Sequence, residues 1–176
     1  MQICCYADDV IKLLNQICTF VNRMMTLTEE QQERIDLVKH KLKFIEQKPA
    51  VACITALDPL MLSNYNVDEL TGIAGGVSIA GDEQTLLQLN PDVIILMPDG
   101  YTIGETMKHI DQLLQLPGFT DLKAVKSNRL YIADADRFFD DSPENWVESV
   151  ELLAEIINPK QFIFGYEGEG WIRFTV

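Results

Sequence analysis

Leu89-Asn90-Pro91-Asp92-Val93-Ile94-Ile95-Leu96-Met97-Pro98-Asp99-Gly100-Tyr101 is the stretch whose reading decides the fold. Residues 92–97 form a run of β-branched and long apolar side chains between turn formers, which is how a parallel strand buried on both faces reads. The run is therefore expected to be a central strand. The polar turn Pro98-Asp99-Gly100-Tyr101 then leaves its carboxyl end, the place where open α/β sheets hold their ligands.

Working outward, residues 82–89 read as a helix with Asp82 as N-cap, feeding the central strand. Residues 67–74 read as a short helix stopped by Gly75-Gly76. Residues 50–57 read as a second buried strand, from which Asp58-Pro59 turns the chain out. Beyond the central strand, Ile103, Met107, Ile110 and Leu114 mark one face of a helix, and Leu116-Pro117-Gly118-Phe119 breaks the pattern. Residues 129–133 read as a third strand. Ser142 as N-cap and Pro143 at the first helical position open a last helix along Trp146, Val150, Leu153 and Ile157, which Asn158-Pro159 ends.

Strand and helix thus alternate, the pattern of a mostly parallel sheet covered on both faces. Two helices precede that alternation. Residues 8–25 carry one apolar stripe (Val10, Ile11, Leu14, Ile17, Cys18, Val21, Met25) and a second one (Leu13, Phe20, Leu27), so this helix needs cover on two sides. Thr28-Glu29-Glu30-Gln31 fits a capping box and opens the second helix, with Ile35, Val38, Leu42 and Ile45 as its stripe. The expected fold is α/β, a three-layer Rossmann-like lobe with a mostly parallel sheet, preceded by a long helix and a second helix. The boundaries that follow are 1–48 for the two helices, 49–162 for the lobe and 163–176 for a C-terminal tail that alternates glycine with aromatics.

The chain has 176 residues, of which 47% are apolar, enough for one ordinary core. Its formal charge of −13 argues against a nucleic-acid partner, since phosphate binding draws on clustered Lys and Arg, and here the basic residues are scattered. No apolar run approaches the ~20 residues that span a bilayer, and the first residues lack a signal-peptide pattern. As written, the chain reads as cytoplasmic. Cys4, Cys5, Cys18 and Cys53 lack Cys-x-x-Cys spacing and read as buried thiols.

In order along the chain, several segments resemble the substrate-binding proteins of bacterial ABC importers for vitamin B12 and ferric siderophores, the class III periplasmic binding proteins. Leu57-Asp58-Pro59 followed by Val67, Glu69-Leu70 and Ala74-Gly75-Gly76 is similar to the strand, ligand-facing turn and helix that open the family's second lobe. Asn90-Pro91-Asp92-Val93-Ile94-Ile95 is similar to that lobe's Pro-Asp-Val-Ile strand. Leu116-Pro117-Gly118-Phe119, then Ala124-Val125-Lys126 and Arg129-Leu130-Tyr131, resemble its Leu-Pro-Gly-Trp and Ala-Val-x-x-Gly-Arg-Val-Tyr segments. Glu151-Leu152-Leu153-Ala154-Glu155-Ile156-Ile157 with Pro159 resembles its last helix.

The resemblance covers the connecting helix and the second lobe only. It implies a single lobe of a substrate-binding component, with a corrinoid, ferric siderophore or similar metal chelate as ligand, an ABC permease as partner, no cofactor, and a periplasmic or cell-surface location for the full protein. Ligand contacts would come from the turns at the strand carboxyl ends: Asp58, Tyr65, Asn66, Asp99, Tyr101, Arg137, Phe138 and Phe139. The aromatics would stack on a flat ligand, while Asp99 and Arg137 would set its orientation. For Phe138 and Phe139, capping the core under a loop is an equal alternative. Many relatives carry Cys at the position of Asp99 and Trp near Asn66. Glu83 and Gln84 fall where the vitamin B12 binders carry a transporter-docking glutamate, although an acidic residue in a helix's first turn is also ordinary dipole complementarity. The stripe of Leu13, Phe20 and Leu27 is expected to drive self-association. The alternative function is a shortened relative that binds nothing and acts as an oligomerising structural domain.

An enzyme is not expected. His40 and His109 have no evident nucleophile or metal partner, no serine sits in a Gly-x-Ser-x-Gly elbow, and Gly75-Gly76 to Gly81 is not Gly-x-Gly-x-x-Gly. The acidic residues Asp134, Asp136, Asp140 and Asp141 lack calcium-loop spacing and read as solvated loop charges.

Overall fold

The computed structural model describes residues 27–140 and 142–176, and elements are numbered from Leu27 onward. Three parallel strands make the centre: β1 (Ala50–Leu57), β5 (Val93–Leu96) and β6 (Leu130–Ala133). Val51 to Ile54 pair with Val93 to Leu96, and Ile94 to Leu96 pair with Leu130 to Ile132. The run at 92–97 is thus the middle strand of a parallel trio. Around it the sheet grows to seven strands in the order β4-β2-β1-β5-β6-β7, with β3 (Val77–Ser78) also paired in parallel to the start of β1. The short strands β2 (Leu60–Leu62) and β4 (Gly81–Asp82) and the last strand β7 (Trp171–Phe174) join antiparallel.

Alternation along the central strands sorts the core into two halves, because successive side chains point to opposite faces. Val51, Cys53, Val93, Ile95, Tyr131 and Ala133 face one side. There they meet α1 (Glu29–Leu42), α2 (Tyr65–Ile73) and α6 (Pro143–Ile157). Ala52, Ile54, Ile94, Leu96, Leu130 and Ile132 face the other. Here they meet α3 (Glu83–Leu89), α4 (Ile103–Leu114), the 3-10 turn Phe119–Asp121 and α5 (Lys123–Lys126). The result is the expected three-layer α/β lobe.

Helix starts follow from side-chain caps. The Thr28 hydroxyl accepts from Gln31 N–H at 3.2 Å while Gln31 Oε1 accepts from Thr28 N–H at 2.9 Å, the reciprocal box read from the sequence. Asp82 and Ser142 cap α3 and α6 as expected. Two caps carry no expectation from the sequence: Asn64 at α2, and the Thr102–Glu105 box at α4. The buried face of α4 is Thr106, Ile110 and Leu113, whereas Met107 is 39% exposed. Apolar residues at both three- and four-residue steps allowed either stripe, and packing on the sheet selects the one shifted by a residue.

Two segments outside the expected 49–162 bounds pack with the lobe. The tail at 163–176 belongs to the sheet: β7 pairs with β6 from Leu130↔Phe174 to Ala133↔Trp171, and Trp171 meets Tyr131 edge to face with centroids 5.5 Å apart. The second helix, placed outside the lobe by its number, sends Ile35 and Val38 into the core beside α6. The helix expected over 8–25 lies outside the described residues, along with Cys4, Cys5, Cys18, Leu13 and Phe20. Leu27, the last member of its second stripe, is partly buried against the lobe's own core.

Candidate functional site

The carboxyl ends of β1 and β5 diverge into two turns, and the space between them is the site. Backbone pairing continues past both strands, with Met97 N–H donating to Ile54 O at 2.9 Å and Asp99 N–H to Thr55 O at 3.0 Å. Asp99 is thereby fixed beside Thr55. Gly100, at φ 73°, turns the chain so that Tyr101 N–H reaches Pro98 O at 2.9 Å, a conformation that glycine adopts at no steric cost. Tyr101 O in turn accepts from Ala135 N–H at 2.9 Å and Asp136 N–H at 3.2 Å, which ties the turn after β5 to the turn after β6.

Immediately after Tyr101 the capping box at Thr102 starts α4, so the helix rises from the rim of the cleft. His109 and Gln112 lie three residues apart on that helix, hence on one face. The Tyr101 and His109 rings approach to 5.8 Å between centroids at 52°. Thr55, Asp58, Asp99, Tyr101, His109 and Gln112, with Ala56, Leu57 and Pro98, enclose a cleft of about 360 Å³. Asp99 stays open to solvent at the wall, yet partial desolvation by its neighbours raises its carboxyl above the ordinary value.

The structure therefore brings together Asp58, Asp99 and Tyr101 of the residues expected to bind ligand. It adds Thr55, His109 and Gln112. The polar stripe of α4 carried a sign of the last two, but only the position of that helix over the strand ends gives the stripe a purpose.

The other expected residues go elsewhere. Asn66 is half-buried in the first turn of α2, and the Tyr65 side chain lies outside the described residues. Phe138 is 1% exposed, packed in the core with its ring edge to face against Tyr166 at 5.7 Å. It caps the core, the second of its two readings. Phe139, at φ 73°, is partly buried against the same core half, and its N–H donates to Ser149 Oγ at 3.0 Å. The Arg137 guanidinium lies 5.0 Å from the Phe138 ring centroid and 4.0 Å from Glu169, so it serves the tail. Glu83 and Gln84 stand exposed on the first turn of α3, beyond the Asp82 cap.

The acidic residues after β6 are used locally. Asp134 Oδ1 accepts from Arg137 N–H at 3.0 Å, and Asp140 Oδ1 accepts from Ser142 N–H at 2.8 Å and from its hydroxyl at 2.7 Å. The Asp140 carboxyl is lowered, chiefly by the Ser142 hydroxyl. Asp141 lies outside the described residues.

No family model and no curated protein matches the chain. Solved structures do. An ABC transporter substrate-binding protein from Listeria monocytogenes superposes with a TM-score of 0.64 at 20% identity, over 74% of this chain and 55% of that one. The TroA-like periplasmic binding protein FepB from Veillonella parvula gives 0.59 at 19% identity, over 75% of this chain and 46% of that one. IsdE of S. aureus, solved with heme, gives 0.60 at 18% identity, over 72% of this chain and 54% of that one. The chain has the fold of the TroA-like, class III periplasmic binding proteins, and it spans about half the length of the structures it matches.

Proposed function

We propose that this chain is the second lobe of the substrate-binding component of an ABC importer, and that it presents one face of a binding cleft to a ferric chelate, heme or corrinoid. The observation that carries the reading is the cleft at the carboxyl ends of β1 and β5, walled by Tyr101, in a fold shared with binding proteins. Those solved structures include one complexed with heme and one described as part of an Fe3+-hydroxamate transport system. Tyr101 offers a ring face to a flat or greasy ligand, while Asp58 and Asp99 offer acceptors. The role is binding and delivery with no covalent chemistry.

Three further parts belong to the same proposal. Glu83, with Gln84 beside it, projects from α3 as the group that meets the permease. The location is extracytoplasmic, at the periplasm or cell surface. The segment carrying Leu13 and Phe20 mediates self-association, which sedimentation velocity would reveal as a concentration-dependent rise above the monomer mass.

Calorimetric titration of the purified chain with heme, a ferric trihydroxamate and cobalamin tests the reading. Saturable binding of at least one, weakened by Tyr101→Ala, is expected. No saturable binding of any up to roughly 0.1 mM, the weak end of useful affinity, would remove it.

A further inference from the structure

The charge of the cleft is one-sided. Asp58 and Asp99 lie in its wall, and no Lys or Arg is among its described lining residues. Asp136 stands exposed on the turn that clasps Tyr101 O through its own N–H. Arg137, next along, is drawn off toward Phe138 and Glu169. The whole chain adds a formal charge of −13, which repels anions before they reach the site.

The rings matter as well. Tyr101 and His109 stand close together and line the same cleft as the carboxylates. A cleft lined by carboxylates and rings suits an ammonium group, which gains Coulomb attraction from acids and cation–π attraction from a ring face. Among the described residues, no group of three or more His, Cys, Asp or Glu is arranged to hold a metal ion. Asp99 has lost part of its hydration to the cleft walls, and an incoming cation restores a partner to it.

We infer that this cleft selects ligands carrying a cationic, hydrogen-bond-donating group, such as an ammonium attached to a ferric chelate, over neutral or polyanionic chelates. The inference rests on the functional reading above and adds the charge class of its ligand.

The test compares ferrioxamine B, a ferric trihydroxamate with one free ammonium, with its N-acetylated form, in which only that ammonium is capped. Heme, with two propionates, and ferric enterobactin, a trianion, complete the set. A unit charge about 4 Å away in water changes an equilibrium roughly fivefold. Ferrioxamine B is thus expected to bind on the order of five- to tenfold tighter than its acetylated form, with the gap shrinking in high salt. Asp99→Asn should remove most of that gap by weakening ferrioxamine B more than its acetylated form. Equal binding of the two forms, or tighter binding of heme or ferric enterobactin, overturns the charge selection and leaves the binding-protein reading in place. Failure of all four probes to bind overturns the charge selection, and failure of cobalamin as well overturns both.

Discussion

Arg34 on α1 grips Glu151 on α6 with two prongs, Nε to Oε1 at 2.9 Å and Nη2 to Oε2 at 2.6 Å. The Tyr166 hydroxyl donates to the same Oε2 at 3.0 Å, so one carboxylate fastens the second helix and the tail to the lobe. The partners are unequal. The Arg34 side chain is 35% exposed and that of Glu151 only 6%, so Arg34 rehydrates if its partner goes, whereas Glu151 is left buried. Arg34→Met is therefore expected to cost about 2–4 kcal/mol in urea denaturation, below the full figure for a wholly buried pair, and Glu151→Gln about 1–2 kcal/mol. The double variant should cost less than the sum.

Cys53 should be chemically silent until the lobe opens. It is fully buried on β1, its Sγ 3.7 Å from Thr71 Oγ1, and burial pushes its thiol up to about 12 from an ordinary value of 9.0. The thiolate is the reactive form, so the folded thiol has almost none at neutral pH. Because the folded value is the higher one, stability tied to the neutral thiol is complete below 9.0 and drains away as pH rises toward about 12. Iodoacetamide labelling followed by peptide mapping should find Cys53 unmodified in buffer and modified in urea. Equal labelling in both would contradict its burial.

Gly72 and Gly76, four residues apart, should respond to alanine with opposite signs. A Cβ on Gly76 would sit 2.7 Å from Val51 Cγ2 and 3.0 Å from Thr71 Cγ2, both on fully buried residues. Gly76→Ala is thus expected to cost about 1–3 kcal/mol through overpacking. A Cβ on Gly72 meets nothing within 4 Å, and the residue is in α2, so alanine there should add about 0.5–1 kcal/mol. Thermal melts of the two variants should move in opposite directions.

The parallel core was legible in the sequence because double-sided burial leaves an unbroken apolar run, and residues 50–57, 92–97 and 129–133 each show one. The edges were not. β2, β3 and β4 are two or three residues long, too short for any periodicity, and they form on edges offered by strands already in place, β2 and β3 on β1 and β4 on β2. β7 shows no clean alternation, since Trp171 and Arg173 share a face and only the first is buried, while Ile172 and Phe174 are partly buried on the other, and glycines crowd the residues before it. Within the site, Asp58, Asp99 and Tyr101 were legible from their place after strands. Phe138 was not resolved by sequence, because a loop aromatic fits a ligand shelf or a core plug equally well, and the Tyr166 ring beneath it makes it the plug.

Asp99 offers a separation of stability from binding. Its carboxyl is raised by desolvation, with no compensating ion pair among the described residues, so the fold prefers it neutral. For an acid with a raised folded value, the penalty is absent below the ordinary 3.8, where both states hold the proton, and complete once pH exceeds the folded value. Asp99→Asn removes the charge and should leave the lobe as stable as before, or slightly more stable, at pH 7. That difference should disappear by about pH 3, below the value for the unfolded group. A cation in the cleft reverses the balance, since it needs the charge that the empty site would rather lose. The same substitution should therefore weaken an ammonium-bearing ligand at pH 7 while the melting temperature holds or rises. If binding and stability fell together, Asp99 would be a support for the fold and its place in the cleft incidental.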